Sequence, residues 1–446
     1  MKSRFFVIAL AAACAGSAYA AVSPEEAKAL GTTLTKFGAD PKASADGLVP
    51  AYSDAPITPP AGFEEGSGKY PDPFASDKPL FSITSKNMAQ YADKLTDGEQ
   101  VLLKRFPDFR IDVYPAHRSM HYPEHVLDAT VKNATKAVLS KTGYGVDDSW
   151  GGVPFPIPKS GIEAIWNEVL SYSGMSFETD QVGFLIDSSG NSTNIGQNKV
   201  YHYVGYYDPN AQPGDWMYKF VATFNGPPSQ VGEKNLFWQP ISYDKDDQQA
   251  WAYTPGLRRV RLAPEATYDT PASVYGGAML YDEIGMFSGK PDRFDWKILG
   301  KKEMIVPYNN YTFNFDTDPK DLLGKQFLNP DKVRWEVHRV WVVEGDLKPT
   351  ARHVYAKRIF YIDEDSWTIL ASDNYDHAGK MYRIGFSYQV SHYGNFPHAG
   401  FSTLGFYDLS KNNYMLTLAR RYYDYAKPRP AAQWLTPDSM AGSGVR

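Results

Sequence analysis

The sequence predicts an α+β protein built on one large, curved antiparallel β-sheet, with helices packed on the concave side as a lid. Aromatic residues make up 15% of the 446 residues, and these side chains favour the half-buried surface of a sheet. Helical periodicity is confined to the part of the chain before residue 176. After that point apolar and polar residues alternate with a period of two, which is typical of strands.

Residues 1–20 have the pattern of a secretory signal. Lys2 and Arg4 precede a short apolar run, and Ala18-Tyr19-Ala20 is a small-residue cleavage site. The run is shorter than the ~20 apolar residues that a membrane span needs. The sequence therefore predicts export and cleavage after Ala20.

Cys14 is the single cysteine and lies inside this segment. A lipoprotein signal is the alternative, because Ala12-Ala13-Cys14 fits half of that pattern. Ala11 stands where an aliphatic residue is needed, so lipid anchoring at Cys14 is not expected. Cleavage after Ala20 removes the cysteine, which excludes thiolate metal sites and cysteine nucleophiles.

The formal net charge of −5, without a basic block, argues against nucleic-acid binding, which needs a cationic face. The densest basic patch is Arg258-Arg259-Val260-Arg261. Its composition indicates the polar edge of a strand rather than a binding surface.

Four segments have helical signals, two of which begin with a capping box, Ser23-Pro24-Glu25-Glu26 and Thr96-Asp97-Gly98-Glu99. The predicted helices cover residues 24–37, 97–106, 127–138 and 162–170. We interpret residues 21–446 as a single domain. Its parts are a Pro/Gly-rich extended arm at 40–79, a mostly helical lid region at 80–175 and the antiparallel sheet at 176–425.

The strand candidates follow one another with short turns, so neighbours are expected to pair antiparallel. In residues 333–337 the alternation is regular, and its phase slips at Arg339, which predicts a β-bulge. In residues 353–362 both faces carry apolar or aromatic side chains. Two explanations remain open: cover on both faces of the sheet, or a concave face lined for an apolar ligand.

His117, His121 and His125 are spaced four apart, which on a helix aligns three imidazoles for a metal. Pro115 and Pro123 interrupt any helix there, so no metal site or cofactor is predicted.

Acidic pairs are the remaining candidates for chemistry. A glycosidase needs two carboxyl groups facing each other across a cleft, and sequence spacing does not show this for Asp282-Glu283. Asp363-Glu364-Asp365 lies between two strands and indicates a turn. The chain has no Gly-x-Ser-x-Gly elbow, phosphate loop or dinucleotide fingerprint.

Several separate sequence blocks carry a resemblance to a known family. They are Pro154-Phe155-Pro156-Ile157-Pro158-Lys159-Ser160-Gly161, Trp251-Ala252-Tyr253-Thr254-Pro255-Gly256-Leu257, Asp292-Arg293-Phe294-Asp295-Trp296, Arg334-Trp335-Glu336-Val337-His338 and Arg352-His353-Val354-Tyr355. The chain resembles a domain-of-unknown-function family of large periplasmic proteins of Gram-negative bacteria, described as outer-membrane lipoprotein-sorting-like.

The resemblance implies an enlarged relative of the LolA and LolB carriers, which are incomplete antiparallel barrels sheltering acyl chains under helices. It also implies a periplasmic location and an RND-type transporter or outer-membrane protein as partner. The chain is more than twice the size of those carriers, so no cargo-contacting residue is transferred.

The leading prediction is a non-enzymatic periplasmic carrier or binding protein for a lipid or other hydrophobic cargo. Aromatic residues of the strands are the predicted lining: Trp251, Tyr253, Trp296, Trp335, Trp341, Tyr355, Tyr382, Phe386 and Tyr388. The alternatives are a periplasmic hydrolase of glycans or esters acting through Asp282 and Glu283, and a non-catalytic adaptor that docks through the arm.

Overall fold

The computed structural model describes residues 22–211, 216–400 and 403–442. The predicted signal sequence and Cys14 lie outside the described residues. Within the described ranges, no helix is long and apolar enough to cross a membrane.

The described part of the chain contains nineteen strands. In chain order they are β1 (Phe81–Ile83), β2 (Ile111–Val113), β3 (Val138–Leu139), β4 (Val146–Asp147), β5 (Ser176–Ile186), β6 (Ser192–Tyr203), β7 (Tyr218–Gly226), β8 (Lys234–Gln239), β9 (Gln249–Thr254), β10 (Arg259–Leu262), β11 (Phe294–Pro307), β12 (Trp335–Leu347), β13 (Lys357–Asp363), β14 (Ile369–Tyr375), β15 (Met381–Tyr388), β16 (Ser391–His392), β17 (His398–Ala399), β18 (Thr403–Asp408) and β19 (Asn413–Asp424).

Fifteen of these strands form one curved sheet in the order β1-β2-β12-β13-β14-β15-β18-β19-β5-β6-β7-β8-β9-β10, with β11 paired to β12. Neighbours pair antiparallel, apart from one parallel bridge between Trp335 of β12 and Val113 of β2. The first and last strands of this order do not pair with each other, so the sheet is open. The predicted fold class, α+β with a large antiparallel sheet, is confirmed.

The helices are short and lie mainly before the sheet strands. They are α1 (Pro24–Ala27), α2 (Asp97–Arg105), α3 (Glu124–Ala134), α4 (Gly161–Val169), α5 (Pro319–Leu322), α6 (Ala431–Trp434) and α7 (Pro437–Gly442). Capping boxes begin α1, α2 and α4, because an N-cap hydroxyl accepts from the third backbone N–H while a glutamate reaches back to the cap.

Helices α2 and α4 cover opposite faces of the sheet. Leu102 of α2 belongs to the same buried cluster as Ile359 and Tyr361 of β13. Ile165 of α4 belongs to the cluster that contains Phe360, the residue between them. Successive strand residues point to opposite faces, so the apolar pattern on both faces of β13 is explained by cover on both sides.

The predicted helix over residues 24–37 is wrong beyond its first turn. It ends at Ala27, and the chain turns at Gly31, whose φ is +76°. The Thr32 hydroxyl donates to the backbone oxygens of Lys28 and Ala29, an arrangement that competes with helix propagation.

The predicted bulge at Arg339 is also wrong. Strand β12 runs unbroken, and the extra residue lies on its neighbour β11, between Ile298 and Gly300. Strand β5 was not predicted individually because its first half is polar. Lys199 on the neighbouring strand pairs with Glu178 and Asp180, which accounts for this polar stretch.

Residues 40–79 contain no helix or strand and cross the surface of the fold. Tyr70 is buried against the His392 ring, and Phe74 stacks on His117 with ring centroids 3.9 Å apart. Arg118 donates to the backbone oxygen of Asp40 at 2.7 Å. These contacts tie both halves of this segment to the sheet and its neighbouring loops.

Helix α2 is seated over strand β14 through a buried carboxylate. The backbone N–H of Gly98 donates to Asp373 Oδ1 at 3.0 Å, and the Tyr361 hydroxyl donates to Oδ2 at 3.0 Å. A Cβ at position 98 would lie 2.3 Å from Asp373 Oδ1, so this close approach needs glycine. Burial outweighs these hydrogen bonds and raises the pKa of Asp373 to about 7.

This shift predicts that stability falls as pH rises. The folded protein holds the Asp373 proton more tightly than the unfolded chain, so raising the pH from 5 to 8 costs about 2 to 3 kcal/mol at this group. Asp373→Asn removes this part of the dependence, while the neighbouring Glu99 stays in both proteins. Urea unfolding at pH 5 and pH 8 measures the difference, and equal pH slopes for the two proteins would contradict the account.

Candidate functional site

A cavity of about 110 Å³ lies between the C-terminal end of α4, strand β7 and residues 284–288. Its wall is mainly apolar: Val169, Leu170, Val204, Met217, Tyr218, Phe220, Ile284 and Phe287. A smaller set of polar side chains completes the lining: Glu168, Ser171, Ser173, Gln239, Ser288 and Thr368. An apolar wall with few polar groups is typical of a site for a hydrophobic or amphiphilic small molecule.

Glu168 is the unusual member of this lining. Its side chain makes no hydrogen bond to the described residues, and its Oε2 atom is fully buried. Burial raises the pKa of Glu168 well above its ordinary value, although the nearby Arg358 guanidinium acts in the opposite direction. Burial therefore favours the protonated form of Glu168, which can both donate and accept a hydrogen bond.

Residues 284–289 close the cavity with an unusual backbone. Gly285, Met286 and Gly289 all have positive φ, at +70°, +79° and +93°. Positive φ is strained for a methionine, at roughly 1 to 3 kcal/mol. The Met286 side chain is buried in the same cluster as Ile165, which offsets this strain.

Asp282 and Glu283, immediately before this segment, are anchored to the sheet by two arginines. Arg358 of β13 donates to Asp282 Oδ2 at 2.8 Å, and Arg383 of β15 donates to Glu283 Oε2 at 2.7 Å. The backbone N–H groups of Met286 and Ser288 then donate to the backbone carbonyl oxygens of Glu283 and Asp282, respectively. The buried ion pairs thereby position the segment that covers the cavity.

The local electrostatics support a positioning role for this acidic pair. Burial opposes ionisation of Asp282, but Arg358 and His353 outweigh it and hold its pKa below the ordinary value. The Tyr355 hydroxyl donates to Glu283 Oε1. Neither carboxylate lines the cavity, and each is neutralised by its own arginine. This arrangement lacks the free acid and base facing a shared cleft that the hydrolase alternative needs.

The predicted aromatic lining is distributed over four buried clusters. Trp335, Phe386 and Tyr388 lie on the α2 side, while Trp296 and Trp341 lie on the α4 side. Trp251 and Tyr253 lie near β9, and Tyr355 and Tyr382 pack close to Phe294. Among the described residues that line the cavity, none comes from this set. Trp296 contacts the cavity wall indirectly, through Phe287 at a centroid distance of 5.5 Å.

The three histidines spaced four apart are not brought together around a common point. His117 pairs with Asp77 at 2.9 Å, His121 packs beside Tyr52, and His125 lies in the first turn of helix α3. The imidazoles that do meet are His392 and His398, which approach Asp424.

Sequence analysis missed Glu168, although a signal was present. It lies three residues after Ile165 and directly before Val169, so an acid borders the apolar stripe of α4. The His392–His398 pair also had a local signal, since a turn with Gly394 separates the two histidines. The approach of Asp424 to the two histidines depends on tertiary structure, so no local signal in the sequence predicts it.

The chain belongs to the family described as "Protein of unknown function (DUF1329)", whose model matches residues 82–441. It is 37% identical over 445 residues to "Uncharacterized protein PA3922" of Pseudomonas aeruginosa, covering 96% of this chain and 95% of that protein. The predicted membership of a domain-of-unknown-function family is confirmed.

Two solved structures are similar to parts of the chain. A putative outer membrane lipoprotein-sorting protein domain from Vibrio parahaemolyticus has a TM-score of 0.43 and 12% identity, covering 61% of this chain and 94% of that chain. The LolA superfamily protein NE2245 from Nitrosomonas europaea has a TM-score of 0.38 and 8% identity, covering 63% of this chain and 99% of that chain.

Removing Arg358 tests the positioning role of the buried pairs. Arg358→Met leaves Asp282 buried without its cation, so the free energy of unfolding should fall by about 3 to 5 kcal/mol. Lys297→Met, which removes an exposed cation paired with Asp346, should cost less than ~1 kcal/mol. Urea unfolding measures both variants, and equal small losses would contradict the positioning role.

Proposed function

We propose that this protein is a periplasmic binding protein or carrier for a hydrophobic ligand. The apolar part of the ligand would lie against Val204, Met217 and Phe287, and a polar atom would hydrogen-bond to Glu168. The observation that carries the proposal is an unpartnered, buried carboxyl group at the wall of an apolar cavity.

The energetics favour such a ligand. Each CH₂ group transferred from water into the cavity gains about 0.8 kcal/mol. A buried carboxyl without a partner costs the empty protein about 1 to 3 kcal/mol, and a ligand hydroxyl, ester or amide would relieve that cost. An amphiphile therefore gains binding free energy from both the apolar and the polar part of the lining. A fully charged ligand would instead lose binding free energy when its charge is removed from water.

The cavity is smaller than the roughly 300 to 1,000 Å³ of most ligand pockets. It accommodates a short apolar segment rather than a whole acyl chain. Longer cargo would need residues 284–289 to move outward, and glycines at positions 285 and 289 supply the backbone freedom for this. Of the predicted aromatic residues, Trp296 and Trp341 lie on the α4 side of the sheet and remain candidates for a longer binding path, with Trp296 in contact with Phe287 as the link.

Periplasmic location is part of this proposal and is supported by the signal pattern of residues 1–20. More specifically, we propose that the protein takes part in the trafficking of lipids or lipoproteins to the outer membrane. Its partner would be an RND-type transporter or an outer-membrane protein. The surface arm at 40–79 is the candidate contact for such a partner.

Filling the cavity should abolish binding. Val204→Phe places a larger side chain into the space and should weaken the affinity for hexan-1-ol at least tenfold. Val260→Phe, on strand β10 and away from the cavity, is the matched control and should stay within twofold. Isothermal titration calorimetry measures both, after thermal unfolding has shown that both variants fold. Equal hexan-1-ol binding by the two variants would contradict the assignment.

Glu168→Leu distinguishes the contribution of the ligand's polar atom to binding from the contribution of its apolar part. The variant should lose the preference for hexan-1-ol over hexane, because the hydrogen-bonding group is gone while the apolar wall remains. The empty protein should become more stable by about 1 to 3 kcal/mol, since an unpartnered buried acid is replaced by an apolar side chain. A destabilised variant that still prefers the alcohol would show that Glu168 serves the fold and not the ligand.

A further inference from the structure

A second site lies at the hairpin formed by β16 and β17, away from the acidic residues discussed above. His392 and His398 are a directly opposed cross-strand pair in this hairpin. Opposed residues have Cβ atoms about 5 Å apart on the same face, and the two imidazole rings are accordingly 4.5 Å apart between centroids. The hairpin therefore presents two imidazoles side by side.

Asp424, the last residue of β19, completes the cluster. Its Oδ1 lies 2.8 Å from His398 Nε2, and its Oδ2 lies 3.3 Å from His392 Nδ1. Two ligand atoms bound to one tetrahedral zinc, each at about 2.0 to 2.1 Å, are about 3.3 Å apart. Both nitrogen–oxygen distances are close to this value, and one ligand atom from each of the three side chains lies within 4.8 Å of the other two.

The surroundings keep the cluster compact. The Tyr70 hydroxyl donates to Asp424 Oδ2 at 3.0 Å, and the Tyr70 ring stacks on His392. A side chain at Gly400 would place its Cβ 2.8 Å from His392 Nε2, so glycine leaves room beside that imidazole. Both histidine side chains are fully buried, and a pocket of about 100 Å³, lined by Tyr70, Tyr422 and Asp424, reaches the cluster at Asp424.

We propose that His392, His398 and Asp424 form a binding site for a divalent transition-metal ion such as Zn²⁺. Two imidazole nitrogens and one carboxylate oxygen are a donor set that Zn²⁺, Co²⁺ and Cu²⁺ accept. The fourth position is open for water or for the Tyr70 oxygen. His392 Nε2 has no hydrogen-bond partner among the described residues. No contact at Nε2 therefore determines which of the two ring nitrogens of His392 carries the proton.

The charge balance distinguishes this cluster from a second group of similar composition. In the described residues the ion pairs of Asp424 are with the two histidines alone. His338, Asp363 and Asp365 also converge, but there Arg118 donates to both oxygens of Asp365, at 2.6 and 2.9 Å. That guanidinium already supplies the cation, whereas at Asp424 a metal ion would supply it.

Metal titration of the mature protein, stripped with EDTA, tests the proposal. We expect one Zn²⁺ per chain, a dissociation constant in the micromolar range or tighter, and a raised thermal midpoint. His398→Gln and Asp424→Asn should each weaken Zn²⁺ binding at least tenfold. His117→Gln, which removes a histidine that also pairs with an aspartate, is the matched control and should bind Zn²⁺ within twofold of the natural protein.

A spectroscopic measurement covers the case in which the variants fail to fold. Cu²⁺ bound to the natural protein should give an electron paramagnetic resonance spectrum with hyperfine coupling to two imidazole nitrogens. Absence of Zn²⁺ binding at 1 mM, coupling to a single nitrogen, or equal loss of affinity in His117→Gln would overturn the proposal.

Discussion

Two buried ion pairs, Asp282–Arg358 and Glu283–Arg383, are the interactions on which the candidate site depends. Both arginines project from sheet strands, and both acids belong to the loop that continues into residues 284–289. Taking four charges out of water is costly, and the pairing with good geometry offsets that cost. The loop is thereby fixed over the cavity, and Arg358 stands near Glu168, a buried acid without a hydrogen-bond partner among the described residues.

This arrangement gives Asp282 and Glu168 different chemical roles. Arg358 and His353 lower the pKa of Asp282, whereas burial raises the pKa of Glu168 well above its ordinary value. Neighbouring carboxyl groups with opposite protonation preferences are a recurring feature of functional sites. Here Asp282, which favours the ionised form, positions the backbone of residues 284–289. Glu168, which favours the neutral form, faces the apolar space where a ligand would lie.

Much of the fold could be predicted from sequence because its signals are local. The capping boxes at Ser23 and Thr96 and the two-residue periodicity of β15 each depend on residues close in the chain. The cavity could not be predicted, because it is formed by segments around residues 168, 217 and 287 that meet only in three dimensions. The aromatic strand residues were predicted to form one lining, but a sheet covered on both faces places residues such as Trp335 and Trp341 in separate clusters.

The central claim is that the space beside Glu168 receives an amphiphile, and a crystal structure of the protein grown with hexan-1-ol tests it most directly. The account predicts density for the alkyl chain between Val204 and Phe287, with the hydroxyl oxygen about 2.7 Å from the Glu168 carboxyl. Density for the alcohol elsewhere on the molecule, with the cavity empty or closed by its own side chains, would contradict it.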